Sequence, residues 1–154
     1  MDLRVCLPSL VTPFQERASQ QEQTLHLEFG EPLPPVLLEN ITWTRIINEL
    51  LTNACKYTPP GETIWVRAFA TEDAVQVRVI NTGVEIPPTE HQRIFEKFYR
   101  IPQHDRWQHG GTGLGLALVK GLVERLGGQI TVTSEAGQTC FTLTLRPANQ
   151  PQTV

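Results

Sequence analysis

At 154 residues and 17.3 kDa the chain is the size of one domain and long enough to bury a core of its own. With 40% hydrophobic and 19% charged residues it is neither a disordered chain nor a membrane one, because no apolar run approaches the roughly 20 residues that span a bilayer. A net charge of −3 and a pI near 5.8 argue against a dedicated nucleic-acid binder, which carries a basic excess.

The amino terminus, with Asp2, Arg4, Pro8 and Pro13, does not read as a signal peptide. Cys6, Cys55 and Cys140 have neither a disulfide nor a metal-ligand spacing, so a reduced, cytoplasmic setting is expected. Residues 9–22 read as a polar, moderately helical lead-in and 25–29 as a short strand, followed by a proline-rich loop over 30–35. A helix is expected over 41–57, with Asn40 or Thr42 as its N-cap and Thr58-Pro59-Pro60-Gly61 as its stop. Trp43, Ile47, Leu50, Leu51 and Ala54 share one face of it; Glu49, Asn53 and Lys56 fall nearly opposite, on the solvent side. Alternation of Ile64, Val66 and Ala68, a charged turn at 71–73 and alternation of Val75, Val77 and Val79 predict an antiparallel hairpin. An irregular stretch between Asn81 and Gly115 holds a short helix near 90–99. A second helix over 114–126 stops at Gly127-Gly128, strands at 129–134 and 139–145 close the domain, and 148–154 read as a disordered tail.

Three segments carry chemistry. Glu49, Asn53 and Lys56, with Tyr57 beside them, put a carboxylate, a neutral oxygen ligand and an ammonium on one helical face. An ordinary solvated face is the bland explanation, but a central Asn is a poor helix former, and this combination suits a Mg²⁺-nucleotide. Gly110-Gly111-Thr112-Gly113-Leu114-Gly115 opens a helix, where exposed N–H groups and the helix dipole favour an anion. Neither the GxxxxGK[ST] nor the GxGxxG spacing occurs, which disfavours the two commonest nucleotide folds. In Ile94-Phe95-Glu96-Lys97-Phe98-Tyr99-Arg100, the aromatics serve as core anchors and Arg100 is suited to phosphate oxygens.

Read together, residues 48–61 resemble the N-box of histidine kinases and their relatives among gyrases, Hsp90 chaperones and mismatch-repair ATPases. Residues 81–87 resemble the G1 box, 94–100 the F-box and 111–116 the G2 box, in the family's order. The chain is thus similar to the catalytic and ATP-binding domain of bacterial sensor histidine kinases over residues 8–147, in wording closest to cyanobacterial ones. The resemblance implies an α/β two-layer sandwich, with a mixed, largely antiparallel sheet and helices on one face, occupying residues 1–147. It further implies Asn53 as the Mg²⁺ ligand, Glu49 as a group polarising the reaction, and Lys56 and Arg100 on the ATP phosphates. Tyr57 would line the ribose–phosphate region and Asn81 would meet the adenine, with Gly83 and Ile86 among the nucleotide-binding residues. The backbone of Gly111, Gly113 and Gly115 would wrap the phosphates, with Thr112 and Leu114 also nucleotide-binding, beside a lid over 101–110. The implied partners are a phosphoacceptor histidine on a separate dimerisation domain and a response-regulator receiver domain, with no nucleic acid.

Two positions depart from the family pattern. Asn81 stands where an Asp usually accepts from the adenine amino group, so weaker or less adenine-selective binding is expected. Glu85 stands where glycine is usual, with an expected loss of backbone freedom and added negative charge. None of His26, His91, His104 and His109 lies in a phosphoacceptor motif, so the acceptor histidine is not in this chain. The rival functions are a non-catalytic nucleotide-binding or docking module and a serine kinase of the anti-sigma-factor type.

Overall fold

The computed structural model describes residues 1–97 and 115–148. A first helix, α1, spans Leu3–Gln20, beginning well before the expected lead-in. Asp2 sets its start by accepting the Arg4 N–H at 2.9 Å. Leu3, Leu7 and Val11, four residues apart, are at most 1% exposed. Pro8 and Pro13 lie inside the helix, each removing a helical hydrogen bond. Burial of the Leu3–Leu7–Val11 stripe against the rest of the fold outweighs that loss, and local propensity cannot register it.

The remaining elements follow as strand β1 (Thr24–Phe29), helix α2 (Asn40–Tyr57), strands β2 (Thr63–Ala70) and β3 (Val75–Thr82), and helix α3 (Gly115–Arg125). Strands β4 (Gln129–Glu135) and β5 (Gln138–Leu145) complete the set. The sheet runs β1-β2-β3-β5-β4; β1 and β2 are parallel and the other pairs antiparallel. This is the mixed, largely antiparallel sheet of the expected two-layer α/β fold. Alternate residues Ile64, Val66, Ala68, Val75, Val77, Val79, Phe141, Leu143 and Leu145 are buried and form the core with Trp43, Ile46, Ile47, Leu50, Leu51, Val119 and Val123. Each large side chain so buried contributes about 1.5–3 kcal/mol.

Four boundaries differ from expectation. The N-cap of α2 is Glu39, with no side-chain bond to the helix; Thr42 is only 8% exposed and belongs to the core side rather than to a cap. In the described part of the expected 90–99 helix there are two 3-10 turns, Pro88–Glu90 and Arg93–Phe95, while residues 98 and 99 lie outside the described residues. Strand β3 runs on to Thr82, so Asn81 belongs to the sheet and not to the irregular stretch. At the other end Pro147 bridges Val36 and the Ala148 N–H donates to Pro35 O at 2.8 Å, one residue past the expected boundary. Among the described residues no helix is long and apolar enough to cross a membrane.

Candidate functional site

The polar face of α2 is not a solvated one: Glu49, Asn53, Lys56 and Tyr57 are all half-buried, a correction to the solvent-side expectation. The start of α3 lies against them. A Cβ at Gly115 would stand 2.9 Å from Glu49 Oε2, so only glycine lets the two helices meet here without displacing the carboxylate. Glu49 Oε1 pairs with Arg45 one turn earlier at 3.0 Å. One oxygen thus faces a guanidinium and the other the amino-terminal end of α3, where the helix dipole favours an anion. Asn53, one turn further along α2, shares this face. Arg45, Glu49 and Lys97 also line a groove of about 590 Å³ floored by Leu118 and Leu122 of α3.

A buried glutamine holds the other end of α2. Gln23, 6% exposed, donates through Nε2 to Cys55 O at 2.9 Å and to Thr58 O at 2.6 Å. It thereby satisfies carbonyls that a helix terminus leaves open and fixes the segment carrying Lys56 and Tyr57. Burial pushes the Cys55 thiol above its ordinary pKa, which keeps it protonated and disqualifies it as a nucleophile near neutrality.

The loop after β3 is tied down from several sides. Asn81, 5% exposed, pairs with Ile64 on one side and Thr139 on the other and lies in the core-facing register of Val75, Val77 and Val79. Beyond it, the Gly83 N–H donates to Gly137 O at 2.8 Å. The Thr139 hydroxyl donates to Val84 O at 2.8 Å, and the Ile86 N–H to Ser134 Oγ at 2.7 Å. His91 Nε2 meets Ile86 O at 2.8 Å, so the carbonyl accepts from the Nε2–H tautomer. Gly83 has φ +80 and a Cβ there would stand 2.7 Å from Glu62 Cγ, so this position needs glycine on both counts. Glu85 does not behave as expected. Among the described residues only Glu22 and Ala136 are non-glycines with positive φ, so a side chain at 85 meets no such backbone penalty. Its Oε1 accepts the Gly137 N–H at 3.1 Å, tying the loop to the β4–β5 turn.

Of the candidate residues, Glu49, Asn53 and Gly115 come together at the α2–α3 junction, while Asn81, Gly83 and Ile86 gather at the end of the sheet. Gly83 packs on Pro59 and Glu62 just beyond α2, which links the two groups. Arg100, Gly111, Thr112, Gly113 and Leu114, with the lid over 101–110, lie outside the described residues. Sequence reasoning missed Arg45, Gln23, Ser134, Thr139 and His91. Ser134 and Thr139 had a signal: they are hydroxyls in the inward register of strands otherwise filled there by Ile130, Val132, Phe141 and Leu143. Among the described residues no three His, Cys, Asp or Glu side chains could hold a metal ion together. Magnesium does not need such a cage, since it keeps waters and is held by one or two protein groups plus phosphates. An amide oxygen at Asn53 with the Glu49 carboxylate one turn away fits that habit.

This fold and site define a domain of the histidine kinase-, DNA gyrase B- and HSP90-like ATPase class, whose family model matches residues 39–149. The chain belongs to that family. It is 38% identical over 94% of its length to the sensor histidine kinase Hik2 of Thermosynechococcus vestitus, of which it covers 38%. It is 44% identical over 83% of its length to the sensor histidine kinase CusS of Escherichia coli, of which it covers 27%. Full-length ShkA solved in complex with AMPPNP superposes with a TM-score of 0.83 at 27% identity, covering 99% of this chain and 32% of that one. The chain therefore spans well under half the length of these relatives.

Proposed function

We propose that the chain is the catalytic domain of a two-component sensor histidine kinase, binding Mg-ATP and passing the γ-phosphoryl group to a histidine on a separate dimerisation domain. A receiver domain then takes the phosphoryl group onward. The observation that carries this reading is the α2–α3 junction, where Glu49 and Asn53 share a face against Gly115, the last residue of the glycine run. Asn53 would hold the magnesium ion, which supplies positive charge between the phosphate oxygens when bound. Lys56 and Arg100 neutralise phosphate charge, and Tyr57 lines the ribose side. Gly111, Thr112, Gly113, Leu114 and Gly115 present backbone N–H groups to the phosphates, and Asn81, Gly83 and Ile86 frame the base. Glu49 orients the incoming nucleophile, and the groove beside it, cationic at its rim and apolar at its floor, receives the acceptor helix. The domain works on the cytoplasmic side, as part of a longer sensor.

The test is to incubate the chain with Mg-ATP and, separately, with a histidine-containing dimerisation domain and a serine-containing acceptor protein. Acid-labile, base-stable phosphate on the first alone is the expected result. Phosphate on serine makes it a serine kinase instead, and phosphate on neither, with nucleotide bound, makes it a docking module.

A further inference from the structure

We propose that Asn81 relaxes this domain's choice at the purine 6-position, so that it takes 6-oxopurine nucleotides (guanine, hypoxanthine) nearly as well as adenine ones. The inference rests on the reading above that Asn81 faces the base. Asn81 is 5% exposed and its side chain has no hydrogen-bond partner among the described residues. It is not sealed in either: the sealed, unpartnered side-chain atoms among those residues are Gln23 Oε1, Trp43 Nε1, Thr58 Oγ1 and Arg78 Nε. An amide so deeply placed, unpaired and still reachable calls for a ligand to complete it.

The neighbouring hydroxyls cannot dictate which way that amide points. Thr139, its partner across the ladder, gives its proton to Val84 O at 2.8 Å and meets Ser134 Oγ at 3.0 Å. Ser134 is itself engaged by the Ile86 N–H at 2.7 Å. Both hydroxyls are committed to holding the loop, and the other ladder neighbour is the apolar Ile64. A half-turn about the last side-chain torsion therefore exchanges Oδ1 for Nδ2 with no protein bond lost. Adenine offers a donor at its 6-position, whereas guanine and hypoxanthine offer an acceptor. An amide answers either one. A carboxylate at this place only accepts, so it binds the amino group and repels the carbonyl oxygen.

The deciding experiment is calorimetric titration of the chain and of Asn81→Asp with Mg-ADP, Mg-GDP and Mg-IDP; IDP lacks the 2-amino group of guanine, so it differs from ADP only in the 6-oxo group and the N1 proton that accompanies it. Wild-type affinities for ADP and IDP should lie within about tenfold of one another. In Asn81→Asp the ratio should open by about tenfold or more, through loss of IDP and GDP binding. Should a buried carboxylate unfold the domain, Asn81→Ala takes its place and should weaken ADP and IDP by similar factors. Wild-type protein that prefers ADP over IDP by about a hundredfold or more, an Asp variant whose ratio does not move, or an Ala variant that weakens ADP alone overturns the inference. Binding of none of the three nucleotides by the wild type would instead overturn the proposed function.

Discussion

The two ends of the site are built on different principles. At the base end, five hydrogen bonds hold residues 83–86 against the β4–β5 turn, Thr139, Ser134 and His91. At the junction of α2 and α3, an ion pair joins Glu49, 26% exposed, to Arg45, 59% exposed. Sheltered hydrogen bonds contribute about 0.5–1.5 kcal/mol each, while exposed ion pairs average about 0–1 kcal/mol. The proposed base end is thus a preset socket, where selectivity would fall to Asn81. At the proposed phosphate end, the Glu49–Arg45 pair lies nearer the surface and contributes less to holding its side chains in place.

The contrast can be broken most severely at Asn53. Asn53→Ala should reduce phosphoryl transfer to a supplied histidine domain by at least about a hundredfold while leaving thermal stability close to wild type, because it removes a ligand group and no packing. Near-normal transfer would take the metal role from Asn53. Next comes Gly83→Ala, which places a Cβ on Glu62 at a φ of +80. A destabilisation of about 1–3 kcal/mol is expected in denaturant titration, and an unchanged midpoint would mean that the socket is less rigid than its bonding implies.

Smaller effects sharpen the same picture. Ser134→Ala leaves the Ile86 N–H without its partner and should weaken Mg-ADP by about fivefold, corresponding to about 1 kcal/mol; calorimetry reads it directly. Arg45→Ala should lower stability by less than about 1 kcal/mol and leave ADP affinity alone, yet slow transfer by releasing Glu49. An equal loss in ADP affinity would place Arg45 on the nucleotide rather than on the carboxylate.

Much of this was legible along the chain because its signals are local. The period of α2 shows in Trp43, Ile47, Leu50 and Leu51, and the alternation of β2, β3 and β5 in their valines, leucines and threonines. Helix α1 was less visible, since Pro8 and Pro13 oppose it locally and only the buried stripe of Leu3, Leu7 and Val11 supports it. The misjudgement of Glu85 has the same origin. A glycine pattern records where a family uses glycine, but the φ that decides whether glycine is needed belongs to the folded loop, and here Gly83 needs it and Glu85 does not.

By itself, then, the sequence determined most element types through periodicity written within one segment at a time, and its resemblance to a known family implied the mixed sheet and the candidate residues Glu49, Asn53 and Asn81. Tertiary structure decided what those residues face. Arg45 reaches Glu49, Gly115 approaches it from another helix, Gln23 closes the end of α2, and Ser134 with Thr139 spends its hydroxyls on the loop beside Asn81. Each of these is a pairing across the fold, and the geometry of such pairings exists only once the sheet and helices have closed on one core.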